Sequence, residues 1–318
     1  MKIAIIGAGI AGLACAEHLA AAGHAPTLFD KGRGPGGRMS TRRAETPFGP
    51  TTYDHGAQYF TVRDPVFQAR VAQWQSHGLA APWPPAGTDA WVGTPGMNAP
   101  LKHAAAALDV RQTVQLTQLD RTPHGWTVEG ADYDALVVAT PAENAAPLLD
   151  AHDPETAALA RANPAAPCWT VMAAFPARLD APDVLRGVSE GVGWAARDSG
   201  KPGRTGPESW VIQAGPEWSR INLERTPDTV VPMLLAEFCR QFALALPDTQ
   251  AATAHRWRYA RSGNAELGHV WRPELRLGTC GDWLRGPRVE AAWLSGHTLA
   301  QAILAEPAHA EPTEATQA

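Results

Sequence analysis

The chain reads as an α/β protein: a parallel sheet built from βαβ units, joined to a second, α+β domain. Three observations predict this. The first thirty residues alternate strand, helix and strand around a glycine turn. The fully apolar run ALVVA (135–139) has the composition of a strand buried on both faces of a parallel sheet. From about residue 164 the texture changes to strand-like pieces (CWTVMAAF, SWVIQAG) between Gly/Pro-rich loops such as RDSGKPGRTGPE.

The elements follow in order. Lys2–Ile6 is predicted as a buried strand, Ala11–Ala22 as a helix stopped by Gly23, and Pro26–Asp30 as the second strand of a βαβ unit. Val66, Phe67, Val71 and Trp74 give 65–77 a helical spacing. The PWPP run (82–85) then makes 78–95 a crossing segment, and 98–108 is helical again. Strands are predicted over 110–119, 125–128 and 135–139, the last ending at Thr140–Pro141. In the second domain, 229–246 is predicted as a covering helix over an antiparallel sheet. A short strand over 275–280 precedes a strong helix, Val289–Ala305, with Val289, Ala292, Trp293, Gly296, Leu299, Ala300 and Ile303 on one face. The expected division is 1–77, 96–163 and 268–305 for the first domain and 78–95 and 164–267 for the second. The polar tail 306–318 is expected to be disordered.

Composition bounds the function. A length of 318 residues suffices for two domains with real cores. The net charge of −5 excludes a global attraction to nucleic acid or to an anionic membrane. Cys15, Cys168, Cys239 and Cys280 are far apart and show no metal-ligand or CxxC spacing, so reduced thiols in the cytoplasm are expected, with no metal site. Lys2 and the apolar run after it imitate a signal peptide. Three glycines at fixed spacing, leading into a strand that ends on an acid, argue against that reading.

The chemistry begins at Gly7-Ala-Gly9-Ile-Ala-Gly12. A lone GxGxxG is weak. Here it follows a strand and opens a helix, and Asp30 closes the next strand 18 residues after Gly12, which is the context of a dinucleotide fingerprint. Gly7 permits the turn, Gly9 lets backbone approach a pyrophosphate, and Gly12 allows helix–strand contact. The helix start offers free N–H groups, and Asp30 can accept from ribose hydroxyls. KGRGPGGRMS (31–40) follows directly. Such a loop can be a linker, a nucleic-acid patch or an anion cradle. Its position after Asp30 and the acidic net charge favour the cradle. Gly36 and Gly37 would let a second backbone approach the pyrophosphate, and Arg38 would clamp a phosphate, with Arg33, Arg42 and Arg43 adding positive field. A third motif, Gly281-Asp282, precedes the last helix. Asp282 can bind a ribityl hydroxyl or backbone near a phosphate, and the helix N-terminus can face the pyrimidine end of a flavin. Three motifs spread along the whole chain suit an extended FAD. Gly191-Val-Gly193-Trp-Ala-Ala has the form of a second fingerprint, but RDSGKPGR after it cannot make the required helix, so no separate nicotinamide domain is predicted.

KGRGPGGRMSTRR and DHGAQYF (54–60) resemble renalase and its bacterial relatives, among the monoamine-oxidase-like flavoproteins of the p-hydroxybenzoate-hydroxylase fold. WVGTPGMNAPLKHAA (91–105), VVATPA (137–142), RWRYA (256–260) and CGDWLRGPRVEAAWLSG (280–296) extend the resemblance over nearly the whole chain. It implies a Rossmann-type FAD-binding domain with an α+β substrate domain. Ala11 and Arg38 would touch FAD phosphates, Asp30 and Lys31 the adenosine ribose, and Val114 the adenine through its backbone. Gln58 and Tyr59 would lie against the flavin. Asp282 and Val289 would hold the ribityl chain and the pyrimidine end, and Met39, Gly281 and Glu290 belong to the same set. Cys280 fits a buried strand, so non-covalent FAD is expected.

Hydride transfer to a flavin asks little of side chains beyond position and electrostatics. Renalase-like enzymes oxidise the 2- and 6-dihydro isomers of NAD(P)H, with oxygen reoxidising the flavin to give hydrogen peroxide. The same substrate and acceptor are expected here. Tyr59, Trp169, Trp210 and Trp293 are candidate aromatic walls, and Gln213 and Asn222 candidate partners of a carboxamide. Arg256, Arg258 and Arg261 are candidates for substrate phosphates, and His55 and His103 for acid–base roles. Ordinary packing or solvated surface is the competing role for each. An amine oxidase, which would need an aromatic cage, and a non-catalytic FAD-binding redox module remain open alternatives.

Overall fold

The computed structural model describes residues 1–187, 191–247 and 250–306. Its central sheet has six strands in the order Val270–Arg272, Leu277–Thr279, Ala135–Val138, Lys2–Ile6, Ala25–Asp30, Asp109–Gln112. All pairings are parallel except that of the Val270–Arg272 edge. Ile5 sits between Val137 and Leu28 in register and is fully buried with them, which is why the interior positions of these strands are mostly apolar. The helix Ile10–Ala21 starts at the glycine turn, and the helix Val289–Ala305 crosses it. The crossing needs Gly296, because a Cβ there would stand 1.9 Å from the Ala11 carbonyl oxygen.

The second sheet is antiparallel, in the order Val184–Arg186, Val192–Arg197, Glu208–Ala214, Ala166–Phe175, Ala251–Arg261. Alternation along its strands creates two faces. Trp169, Val171, Phe175, Trp210 and Ile212 form a core with Leu234 and Phe238 of the covering helix Pro227–Phe242. The opposite face turns toward the first domain: Met172 and Val211 pack on Tyr53, and Gln213 and Trp257 bond to the backbone of Gly56 and His55.

Several elements differ from expectation. The strand expected over 110–119 ends at Gln112, because Thr113 takes a left-handed φ of 60°. The covering helix ends at Phe242, four residues early, where Ala243 is left-handed at φ 51°. The crossing segment forms Ala80–Pro82 and Ala90–Gly93, which pair with each other, and Ala90–Gly93 also pairs with Phe60–Thr61. Arg42 and Arg43 lie on a hairpin strand, Arg42–Thr46, paired with Gly49–Tyr53. Helices Ala142–Leu149 and Pro154–Ala162 carry no counterpart in the sequence reading. At the start of the expected tail, Glu306 accepts from the Trp271 indole at 3.3 Å, and residues 307–318 lie outside the described residues. Among the described residues no helix is long and apolar enough to cross a membrane, and no group of side chains could hold a metal ion. All four cysteines are free, Cys15, Cys168 and Cys280 being buried.

Candidate active site

The strand, the turn and the helix start are built as one unit. Gly7 has φ 109° and donates to Phe29 at 2.8 Å, so the turn is tied to the second strand. A Cβ at Gly12 would lie 2.0 Å from the Gly7 oxygen, whereas a Cβ at Gly9 would meet nothing within 4 Å. The chain is therefore closed behind the helix start and open in front of it, where the first helical N–H groups have no partner within the helix. The second glycine loop comes to the same place. Gly36 donates to Ala8 at 3.3 Å, and a Cβ at Gly37 would lie 3.8 Å from the Gly9 Cα. Gly36 (φ 133°) and Gly37 (φ 50°) both use backbone conformations that favour glycine. Two glycine backbones facing one open space beside a helix start fit a pyrophosphate.

Asp30 accepts from Ala8 N–H at 2.7 Å and Gly32 N–H at 2.6 Å, which holds the two loops together and leaves one lone-pair direction on each oxygen. Lys31 is exposed beside it. Arg38 makes a fork with Asp282, Nη1 to Oδ2 at 2.7 Å and Nη2 to Oδ1 at 2.6 Å. Nη1 also reaches the Ala260 carbonyl of the second sheet at 3.4 Å. Arg38 was expected to point its fork at a phosphate; here the fork is spent on Asp282, so it aligns the two glycine motifs. Met39 is buried under the loop. Val114 donates to the Asp30 carbonyl at 3.0 Å, which leaves only its carbonyl for an adenine. Glu290 accepts from Arg63 N–H and Asp64 N–H, each at 2.7 Å, and so anchors the last helix rather than facing a ligand. Gly281 donates to Ser295 at 2.9 Å, and Val289 opens the helix half-buried.

The segment Asp54–Tyr59 lies between the two domains. Asp54 is fully buried and accepts from Thr41 Oγ1 at 2.7 Å, Met97 N–H at 2.9 Å, Lys201 Nζ at 3.3 Å and the Arg204 guanidinium. Asp198, also fully buried, accepts from Lys201 at 2.7 Å and from Asp54 N–H at 3.3 Å. Burial pushes the Asp54 carboxyl up, but Lys201, Arg204 and the Met97 N–H outweigh it and hold it at about 2. Burial and the Asp54 charge outweigh Lys201 at Asp198, whose carboxyl is raised. Gln58 donates to the Asp54 and Gly56 carbonyls and accepts from Lys201 at 3.4 Å, and Gln213 donates to Gly56 at 2.8 Å. Tyr59 lies against Trp194, ring centroids 5.2 Å apart and tilted 32°. His55 forms a cluster with His255 and Trp257 at 4.9 and 5.0 Å. Burial, then His255 and Arg42, depress the His55 imidazole to about 4, so it is neutral at physiological pH.

The structure corrects several expected walls. Trp169 and Trp210 are on the sheet face turned away from Gln58. Trp169 donates to the Asn222 carbonyl at 2.9 Å, and Trp210 donates to Glu208 at 2.8 Å and packs on Phe238. Asn222 lies on that same covered side, bonded to Trp218 and Arg225. Trp293 fills the gap between the last helix and Phe67, stacked on His297. Arg256 and Arg258 pair with Glu224, Arg261 is exposed, and His103 is exposed and stacked on His77. Tyr59 and Gln213 are brought together with Gln58. Sequence reading missed Asp54, Asp198, Lys201, Arg204, Trp194, His255 and Trp257. The available signal was period-two alternation in HRWRYAR, which puts His255 and Trp257 opposite Arg256 and Arg258.

Residues 85–304 match the family model for flavin-containing amine oxidoreductases, and residues 5–74 match that for an NAD(P)-binding Rossmann-like domain. The chain belongs to the flavin-containing amine oxidoreductase family. It is an FAD-dependent oxidoreductase of mixed α/β fold, and its cofactor is FAD. Curated relatives match over shorter stretches. A 4,4'-diapophytoene desaturase of Staphylococcus haemolyticus is 44% identical over 69 residues (22% of this chain, 13% of that protein). A 15-cis-phytoene desaturase of Synechococcus elongatus is 33% identical over 118 residues (34% and 24%). The chain thus spans 24% or less of the length of these two relatives. Among solved structures, putrescine oxidase bound to putrescine superposes with a TM-score of 0.72 at 13% identity, covering 96% of this chain and 100% of that one. Cyclohexylamine oxidase from Brevibacterium oxydans superposes at 0.66 and 15% identity, covering 95% and 98%. At these identities the likeness is one of fold.

Proposed function

We propose that this protein is an oxidase of isomeric dihydronicotinamides, taking hydride from 2- or 6-dihydro-NAD(P) to form NAD(P)+. One observation carries the choice of substrate: the two carboxylates at the domain interface, Asp54 and Asp198, are already neutralised by Lys201 and Arg204. A substrate ammonium finds no free partner in that pair. The surrounding groups, Tyr59, Trp194, Gln213, His255 and Trp257, suit a flat ring carrying an amide. When bound, FAD supplies the electron acceptor: the substrate loses a hydride, and oxygen with one proton carries the two electrons away as hydrogen peroxide.

The protein's own part is binding and orientation. The backbones of Gly7–Gly12 and Gly36–Gly37 would cradle the pyrophosphate, with Ala11 and Met39 beneath. Asp30 and Lys31 would meet the adenosine ribose, the Val114 carbonyl the adenine, and Asp282 the ribityl chain. Gln58 and Tyr59 would lie against the flavin, with residues 1–77, 96–163 and 268–305 holding the cofactor non-covalently and 78–95 and 164–267 facing the substrate.

The amine-oxidase reading keeps one observation in its favour, the tilted Tyr59–Trp194 pair, and putrescine oxidase and cyclohexylamine oxidase share the fold. Anaerobic mixing of the yellow protein with borohydride-reduced NAD, which contains all dihydro isomers, separates the readings. Rapid bleaching of the flavin by the 2- or 6-isomer is expected. Bleaching by putrescine or cyclohexylamine alone would overturn the proposal in favour of amine oxidation, and bleaching by neither would favour a redox-binding role.

A further inference from the structure

Lys201 is fully buried in a turn of the second domain, 5.5 Å from the centre of the Trp83 ring. Its ammonium has three donors and no acceptor. Three acceptors surround it: Asp198 Oδ1 at 2.7 Å, Asp54 Oδ2 at 3.3 Å and Gln58 Oε1 at 3.4 Å. A donor-only neighbour forces Gln58 to present its oxygen, so the NH2 of that amide must turn to the carbonyls of Asp54 and Gly56. Gly56 is also held by Gln213, His55 by Trp257 through a 2.9 Å bond, and Ala57 by the Arg38 carbonyl at 2.8 Å. The segment that carries Gln58 and Tyr59 is therefore set largely by donors of the other domain.

We propose that Lys201 is a positioning residue of the active site, which fixes the Gln58 amide and with it the 54–59 segment in the orientation presented to the flavin. This rests on the assignment of Gln58 to the flavin made above. Burying an ammonium costs several kcal/mol that an apolar residue of similar size avoids, so the fold alone gives no reason for it. Arg197 supplies the contrast. It is as deeply buried and is paired with Asp183 and Glu208, but its partners all belong to the second domain and none touches 54–59.

The test compares Lys201→Met, Arg197→Met, Lys201→Arg and Gln58→Met as holoenzymes by thermal midpoint, visible flavin spectrum and flavin midpoint potential. Both methionine substitutions of the buried cations are expected to lower the thermal midpoint. Only Lys201→Met is expected to shift the spectrum and the potential, and to lower kcat by about tenfold to a hundredfold with little change in KM. Lys201→Arg, still a donor-only cation, should recover the wild-type spectrum. Should Lys201→Met fail to fold or to retain flavin, Asp198→Asn with Lys201→Met removes one charge of each sign and is read in the same way. Amide exchange at Ala57 in FAD-free protein should quicken with the Lys201 change and not with Arg197→Met. A folded Lys201→Met variant with wild-type spectrum, potential and Ala57 exchange would overturn the proposal. A silent Gln58→Met would instead overturn the placement of Gln58 at the flavin, and the route by which Lys201 acts would fall with it.

Discussion

Arg38 and Asp282, 244 residues apart in sequence, are joined by a two-pronged ion pair that ties the second glycine loop to the turn before the last helix. Asp282 is nearly covered, with 8% of its side chain exposed against 28% for Arg38, so the pair is only partly screened.

The first prediction concerns flavin retention. Arg38→Ala leaves Asp282 without its partner and separates the motifs that frame the open space at Gly9. Charge-assisted hydrogen bonds of this kind contribute about 1.5–3 kcal/mol, so FAD affinity should fall roughly tenfold to a hundredfold. Arg38→Lys, which keeps the charge but loses the planar fork, should fall between. The ratio of flavin to protein absorbance after gel filtration measures this. Full occupancy in Arg38→Ala would show that the pair does not shape the cofactor site.

The second concerns the tryptophans. Trp210→Phe should lower stability by about 1–3 kcal/mol through lost packing and the lost bond to Glu208. Because the residue faces the covering helix, kcat/KM should not change. Trp257→Phe releases the His55 carbonyl on the other face of the same sheet, and should lower kcat/KM. Thermal denaturation and steady-state oxidation of the dihydro isomers distinguish the two, and a reversed pattern would mean that the faces are assigned the wrong way round.

The third concerns acid stability. The His55 imidazole stands at about 4 in the folded chain, against 6.5 unperturbed, and burial, His255 and Arg42 are the groups that lower it, while Asp54 and the Tyr53 carbonyl oppose them. The unfolded chain therefore binds the extra proton first. This contribution is fully present above pH 6.5 and is lost as the pH falls toward 4. At about 1.4 kcal/mol per pH unit, it amounts to roughly 3 kcal/mol. His255, lowered by burial and Arg42, adds to the same trend. Denaturant midpoints between pH 7 and 4 should drop steeply for the wild type and less steeply for His55→Phe. Parallel curves would remove His55 as the source.

Much of the first domain was legible because its signals are local. A strand, a glycine turn and an acid eighteen residues beyond Gly12 specify one another through backbone geometry, and the helix face at Val289, Ala292 and Gly296 is a repeat of 3.6. The second sheet was less so. Its alternation is readable in CWTVMAAF and HRWRYAR, but both faces are buried, one by a helix and one by the first domain. Polarity then does not say which face meets the cofactor, and Trp169 and Trp210 carry the same sequence signal as a residue of the site. The end of the Asp109–Gln112 strand depends on a left-handed Thr113, which composition does not announce.

By itself, then, the sequence determined the dinucleotide turn, the second glycine loop and the parallel sheet, because each is written in neighbouring residues whose backbone demands are local. Only the tertiary structure decided that Arg38 spends its fork on Asp282, and that Lys201 and Arg204 neutralise Asp54 and Asp198. Those pairings join segments up to 244 residues apart. A charge's partner is set by which surfaces the fold buries together, and burial is a property of the whole chain.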